Sequence, residues 1–154
     1  MKFGASGVSF YFKFKGTGLE VTLQDEFRDS TSYNWFMVSV DGREPTRFRT
    51  RPGQTRYTLA HSLEDSTHHL VLMKDTEGQN GHNILQEVYT DELLQFDPLP
   101  EYKIEYIGDS ITAGFGVDEH PIACDEGTWF DHTTAWHSYA SVMARKLNAQ
   151  WMLS

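Results

Sequence analysis

A single cysteine, Cys124, occurs in the 154 residues, so the chain cannot form an internal disulfide and cysteine usage excludes neither an oxidising nor a reducing compartment. Basic residues are scarce: 13 Lys and Arg face 22 Asp and Glu, for a net charge of -9. Nucleic-acid binding needs a basic surface to meet phosphates, and this balance argues against such a partner. No apolar run approaches the roughly 20 residues of a membrane-spanning helix, so no membrane partner is expected. The leading residues Met1–Gly7 lack the apolar segment of a signal peptide. Repeats and low-complexity tracts are missing as well. The potential metal ligands His68, His69, His82, His120, Cys124 and Asp125 are scattered, with none of the paired intervals of a zinc site, so no metal is expected.

What is present suffices for a core: 39% of residues are hydrophobic and 14% aromatic. Val8, Phe10, Phe12 and Phe14 alternate with polar or half-polar neighbours, the period of a half-buried strand. Gly16-Thr17-Gly18 turns the chain into a second alternating run, Leu19, Val21 and Leu23, which predicts a hairpin. Trp35–Val40 is a third strand, closed by the turn signal Asp41-Gly42. Further strands are expected at 47–51, 56–60, 69–74 and 84–90. Turn residues recur between them at intervals of roughly 8–15 residues, which fits an antiparallel β-sandwich.

Pro98 and Pro100 break this pattern, since proline cannot sit in a central strand. The expected organisation is a β-sandwich domain over 1–97, a linker over 98–102 and a second domain beginning at 103. From there the order is strand (103–107), long loop (108–132), helix and strand (150–153). The helix should be capped by Thr133 or Thr134 and run to about Leu147, with Trp136, Ala140, Met143 and Leu147 as its apolar stripe and Asn148 as its left-handed terminator. Strand, helix, strand is a βαβ unit, the opening of a parallel sheet, and residues 103–154 are expected to be a cut-off piece of it.

The run Ile104-Glu105-Tyr106-Ile107-Gly108-Asp109-Ser110-Ile111-Thr112-Ala113-Gly114-Phe115-Gly116 is the chemical signal. A buried strand ending in Gly-Asp-Ser before a glycine-rich loop presents a hydroxyl at the sheet's C-terminal edge, beside free backbone N–H groups. Ser110 is therefore a candidate nucleophile, with Gly108, Asp109 and Thr112 supporting its loop. The plain alternative is an Asx-type turn.

The segment Glu105–Gly116 resembles the first signature block of the SGNH (GDSL-like) hydrolases. The preceding segments Gly4–Phe10, Phe14–Leu19 and Arg47–Arg49, and the later Ser138–Ala149, resemble carbohydrate esterase family two. That resemblance implies an N-terminal jelly roll followed by the first βαβ unit of an α/β, flavodoxin-like SGNH hydrolase domain. It implies a serine esterase that deacetylates plant polysaccharides such as xylan or glucomannan, acting on acetylated polysaccharide or oligosaccharide without an organic cofactor. Ser110 would be the nucleophile and, through its backbone N–H, one oxyanion donor. The glycine and asparagine donors and the histidine base of the family fall in later blocks. An extracellular location is likewise implied only by the resemblance. A non-catalytic glycan-binding module and another SGNH esterase or lipase are the alternatives.

Of the histidines present, His68 in Asp65-Ser66-Thr67-His68 reads as part of a polar turn, and His132 and His137 as solvated or hydrogen-bonded. Arg43, Arg47, Arg49, Arg51 and Arg56 form the one basic cluster and read as a solvated sheet face. Trp129 is a candidate for stacking on a sugar ring or for packing its loop, and Trp136 for the core.

Overall fold

Alternating apolar residues organise two antiparallel sheets that share one core. The computed structural model describes residues 1–117, 122–123 and 125–154; His120 and Cys124 lie outside the described residues. The first sheet holds β1 (Lys2–Phe3), β8 (Gly81–Tyr89), β3 (Leu19–Phe27) and β6 (Arg56–Ala60), in that order. The second runs β5 (Thr46–Arg49), β4 (Trp35–Val40), β7 (Ser66–Lys74), β2 (Ser9–Gly16) and β9 (Glu92–Leu94). Phe12, Phe14, Phe36, Val38, Leu70 and Leu72 from the second sheet meet Phe3, Leu19, Val21, Leu23, Tyr57 and Leu59 from the first. Period-two patterning places these side chains on the facing surfaces and their polar neighbours outside.

Two expectations fail here for physical reasons. β2 and β3 do not form a hairpin: β2 pairs with β7 and β9, and β3 with β6 and β8. The Gly16-Thr17-Gly18 turn carries the chain across the sandwich, which lets both strands bury an apolar face in the common core. Residues 66–68 are not a turn but the start of β7. His68 is buried there, its Nε2 2.9 Å from the Glu64 carbonyl and its Nδ1 2.8 Å from Asp41 Oδ2. Both partners are acceptors, which favours the doubly protonated ring. The Glu64 carbonyl first, and Asp41 second, raise the imidazole pKa against the opposing effect of burial.

The C-terminal strands stand apart from both sheets. β10 (Lys103–Tyr106) and β11 (Gln150–Leu153) pair in parallel, with Lys103 opposite Gln150 and Tyr106 opposite Leu153. Between them α1 covers only Tyr139–Lys146. It starts later than expected because Ser138, not Thr133 or Thr134, is the N-cap: its Oγ accepts from Ser141 N at 3.3 Å. The buried face consists of Ala140, Ser141 and Ala144, whereas Met143 and Leu147 are exposed. Small residues bring α1 close to β11, and Trp136 precedes the helix. Asn148 adopts φ +48°, the left-handed terminator expected there.

One buried carboxylate ties this segment to the sandwich. β7 is covered on both faces at its end: Leu72 enters the sandwich core, while Met73 packs with Ala135, Ala140 and Leu153. The next residues, Asp75 and Thr76, are fully buried. Asp75 Oδ1 accepts from Thr134 Oγ1 at 2.9 Å and Trp136 N at 3.1 Å, and Oδ2 lies 3.0 Å from Arg47 Nε. Arg47 also donates to the carbonyls of Asp131 and Thr133, at 2.7 and 2.6 Å, and lies 4.4 Å over the Trp35 ring. Arg47 is thus no solvated sheet residue, whereas Arg49, Arg51 and Arg56 are exposed. Beside it Lys74 is fully buried, donating to the carbonyls of Thr76 at 2.8 Å and Glu77 at 3.1 Å. Burial pushes its pKa from 10.5 down to about 7, against the pull of Asp25, Asp75 and Glu77.

Asp75→Ala strands the Arg47 guanidinium and two donors, and should lower unfolding stability by about 3–5 kcal/mol in urea titrations. For Lys74 the folded pKa lies below the unfolded one, so between those values the unfolded chain binds the extra proton. Stability should therefore rise from about pH 7 to 9, and Lys74→Met should flatten that rise, as read from urea midpoints across the range.

Candidate active site

Ser110 lies just beyond the tip of the parallel pair. Gly108 N donates to Ser154 O at 2.9 Å, extending the β10–β11 ladder by one step before the chain turns. Asp109 then closes the turn: its Oδ1 accepts from Ile111 N at 3.0 Å, and its carbonyl accepts from Ala113 N at 3.2 Å. The Ser110 carbonyl accepts from Phe115 N at 2.8 Å. The two groups a nucleophile needs, Oγ and the backbone N–H, form no hydrogen bond among the described residues.

Thr112 locks this loop from beneath. It is buried, and its hydroxyl meets Tyr139 Oη at 2.9 Å, joining the loop to the first residue of α1. A Cβ at position 108 would fall 2.1 Å from Thr112 Oγ1, so only glycine lets the two segments approach this closely. Gly114, at φ +90°, lies equally close to the Thr134 carbonyl and accepts from Thr134 N at 3.0 Å.

Ser110 opens into a cleft of about 400 Å³ between the sandwich and the C-terminal strands. Gly108, Asp109, Ser110 and Thr112 form one wall with Leu153 and Ser154; Ala5, Ser6, Glu77 and Gly78 form the other. Among the described residues no histidine lines it. Glu77 Oε2 accepts from Gln79 Nε2 at 3.1 Å, while Oε1 is buried without a hydrogen bond among the described residues. Burial raises the Glu77 pKa and the nearby Asp109 charge adds to this, opposed by the Gln79 bond and Lys74. His68 sits at the far end of β7, about 20 Å of strand away at ~3.3 Å per residue. His132 is 2.9 Å from the Glu126 carbonyl, and His137 is exposed.

A neighbouring hollow of about 330 Å³ is lined by Phe115, Gly116, residues 125–129 and His132. Trp129 stands half-buried in it, 6.1 Å from the Phe115 ring and 5.3 Å, edge-on, from Phe130. Its short 3-10 turn (129–131) is held by Asp131, which accepts from Thr128 N at 2.8 Å, Thr128 Oγ1 at 2.9 Å and Trp35 Nε1 at 3.0 Å.

Residues 1–100 match the family model described as carbohydrate esterase 2, N-terminal. The chain belongs to carbohydrate esterase family 2. Family 2 relatives extend the likeness past residue 100. The chain is 34% identical over 152 residues to the cellulase/esterase CelE of Acetivibrio thermocellus, covering 94% of this chain and 17% of that protein. It is 29% identical over 149 residues to an acetylxylan esterase / glucomannan deacetylase of Cellvibrio japonicus, covering 96% and 39%. A family two carbohydrate esterase from Clostridium thermocellum, solved in complex with cellohexaose, superposes with a TM-score of 0.86 at 31% identity, over 99% of this chain and 45% of that one. A second, from Cellvibrio japonicus, gives 0.85 at 27%, over 99% and 44%. The chain thus spans less than half the length of these relatives.

Sequence reasoning did not reach the opposite wall of this family 2 cleft. Ala5 and Ser6 lie in a segment that carries the family resemblance but suggested no site role, Glu77 carries no motif, and only the fold brings them to Ser110. Tyr139 escaped notice because the helix start was placed too early.

Gly108→Ala forces Thr112 aside and should cost about 1–3 kcal/mol of stability. Gly114→Ala should cost more, because the obstructing atom is backbone and φ is positive. Thermal melts of the two variants test the order.

Proposed function

We propose that this chain supplies the nucleophile half of a serine esterase that removes acetyl groups from plant cell-wall polysaccharides such as xylan and glucomannan. The observation that carries this is Ser110 itself: a serine at the tip of a parallel strand pair, facing a cleft, with hydroxyl and N–H both unengaged among the described residues. The acetylxylan esterase / glucomannan deacetylase relatives support the reaction class.

In this reading residues 1–97 are a jelly roll, 98–102 a linker and 103–154 the opening βαβ unit of a flavodoxin-like SGNH hydrolase domain. Ser110 Oγ attacks the acetyl carbonyl carbon while its backbone N–H donates to the developing oxyanion. The hydroxyl proton passes to a histidine that the family places in its later blocks, which then protonates the departing sugar oxygen. Water hydrolyses the acetyl-serine and releases acetate. Gly108, Asp109 and Thr112 hold the loop rigid, and Trp129 offers a face on which a sugar ring can stack. A binding role is the second reading, since a family two relative was solved in complex with cellohexaose.

The test uses a chain extended through the length its relatives have. It should release acetate from acetylated xylan, and Ser110→Ala should lower the rate by at least about a thousandfold. The 154-residue chain alone should release little or none. Undiminished turnover in the Ser110→Ala variant would remove the nucleophile assignment.

A further inference from the structure

β5 and β6 are the outer strands of their respective sheets, and both lie on the same side of the sandwich, joined by residues 50–55. A groove of about 540 Å³ runs along this edge. Arg47, Arg49, Arg51 and Arg56 line it together with Trp35 and Tyr57. In a chain of net charge -9 this is a local concentration of positive charge. Arg47 is committed to Asp75, and Arg56 to Glu20 at 2.7 Å. Arg49 and Arg51 are exposed and have no acidic partner among the described residues.

The groove is also pre-shaped. Tyr57 Oη donates to Gln54 O at 3.0 Å and accepts from Arg51 N at 3.1 Å, while Gln54 N donates to Arg51 O at 3.1 Å. The backbone of residues 51–54 is therefore held as a closed turn, so the ordering left to oppose binding is that of the exposed arginine side chains. Arg49 lies 4.8 Å over the Tyr33 ring, which keeps its planar fork extended. From Tyr33 a line of ring contacts leads to Phe130 (4.7 Å), Trp129 (5.3 Å) and Phe115 (6.1 Å), whose N–H bonds Ser110 O. The groove and the Ser110 loop are thus joined by one aromatic ridge, in which the partly exposed rings of Tyr33, Trp129 and Phe115 are linked through the buried Phe130.

We propose that the Arg49–Arg51 groove binds the carboxylate branches of a uronic-acid-bearing polysaccharide whose backbone runs along this ridge toward Ser110. Guanidinium forks match carboxylates two bonds at a time, and ring faces match sugar faces. A nucleic acid fits less well: its dense phosphates would meet the acidic remainder of the surface, whereas a glycan carries its anions sparsely. That the anion sits on a polysaccharide rests on the esterase reading; the need for an anion rests on the arginines alone.

The test is calorimetric titration of the 154-residue chain, at low salt, with an unacetylated xylo-oligosaccharide bearing glucuronic acid branches, with the same backbone unbranched, and with a short single-stranded RNA. The acidic oligosaccharide should bind about fivefold or more tighter than the neutral one. That margin should vanish in Arg49→Gln/Arg51→Gln and shrink with added salt, with the thermal midpoint unchanged. If the double variant does not fold, Arg51→Gln alone must weaken the acidic ligand and spare the neutral one. Equal affinity for both glycans, an undiminished margin in the variants, or tighter binding of RNA would overturn the proposal. Arginine-dependent uronate binding by the 154-residue chain, together with no acetate release from the chain extended to the length of its relatives, would overturn the esterase reading and leave the anion groove standing.

Discussion

The buried Asp75 carboxylate is the point on which the arrangement turns. A charge with no solvent access must be met on every side, and the partners that meet Asp75 come from two distant places: Arg47 on an edge strand of the sandwich, and Thr134 and the Trp136 amide in the segment leading to α1. Removing water from one carboxylate therefore fixes three pieces of chain against one another. The two walls of the Ser110 cleft inherit their spacing from this contact. Glu77 follows Asp75 by two residues, and the Ser110 loop is pinned through Gly114 to Thr134.

The strand pattern was readable because burial of one sheet face imposes period two on side-chain polarity. β4, β6 and β11 fall on the residues at which strands were expected. What alternation does not encode is which sheet a strand joins. A glycine turn followed by an alternating run has the same local signature whether the chain folds back as a hairpin or crosses a sandwich, so β2 and β3 were paired in the sequence reading and are not in the structure. The short β1 and β9 fell below the length at which periodicity can be detected.

Long-range electrostatics explains the other misreadings. Thr134 is a good helix cap by residue type, but its hydroxyl is taken by Asp75, and the helix waits for Ser138. Arg47 alternates like a solvent-facing residue; it is covered because Asp75 and two carbonyls converge on it. His68 resembled turn chemistry until Asp41 and the Glu64 carbonyl closed on both ring nitrogens. In each case a local preference was outbid by a partner dozens of residues away or across a strand. The Gly-Asp-Ser loop was visible in sequence because its geometry is made locally, by Asp109 bonding its own turn and Gly108 yielding to Thr112. The facing wall was not, since nothing local marks Glu77.

The clamp around Asp75 also decides where the chain tolerates new material. From Thr133 to Trp136 every residue has a backbone or side-chain bond to Asp75 or Arg47, so the spacing there is fixed to the residue and an insertion would pull at least one donor away. Gly42 and Gly53 are the opposite case: both hold a positive φ that favours glycine itself, but the space around either is open, with nothing within 4 Å of an added Cβ, so new residues can be inserted beside them. Both sit in turns at the outer edge of the sandwich, between β4 and β5 and between β5 and β6. Those tips, and not the stretch before α1, are where a fluorophore, an affinity tag or a fused partner can be grafted without disturbing how the two halves meet.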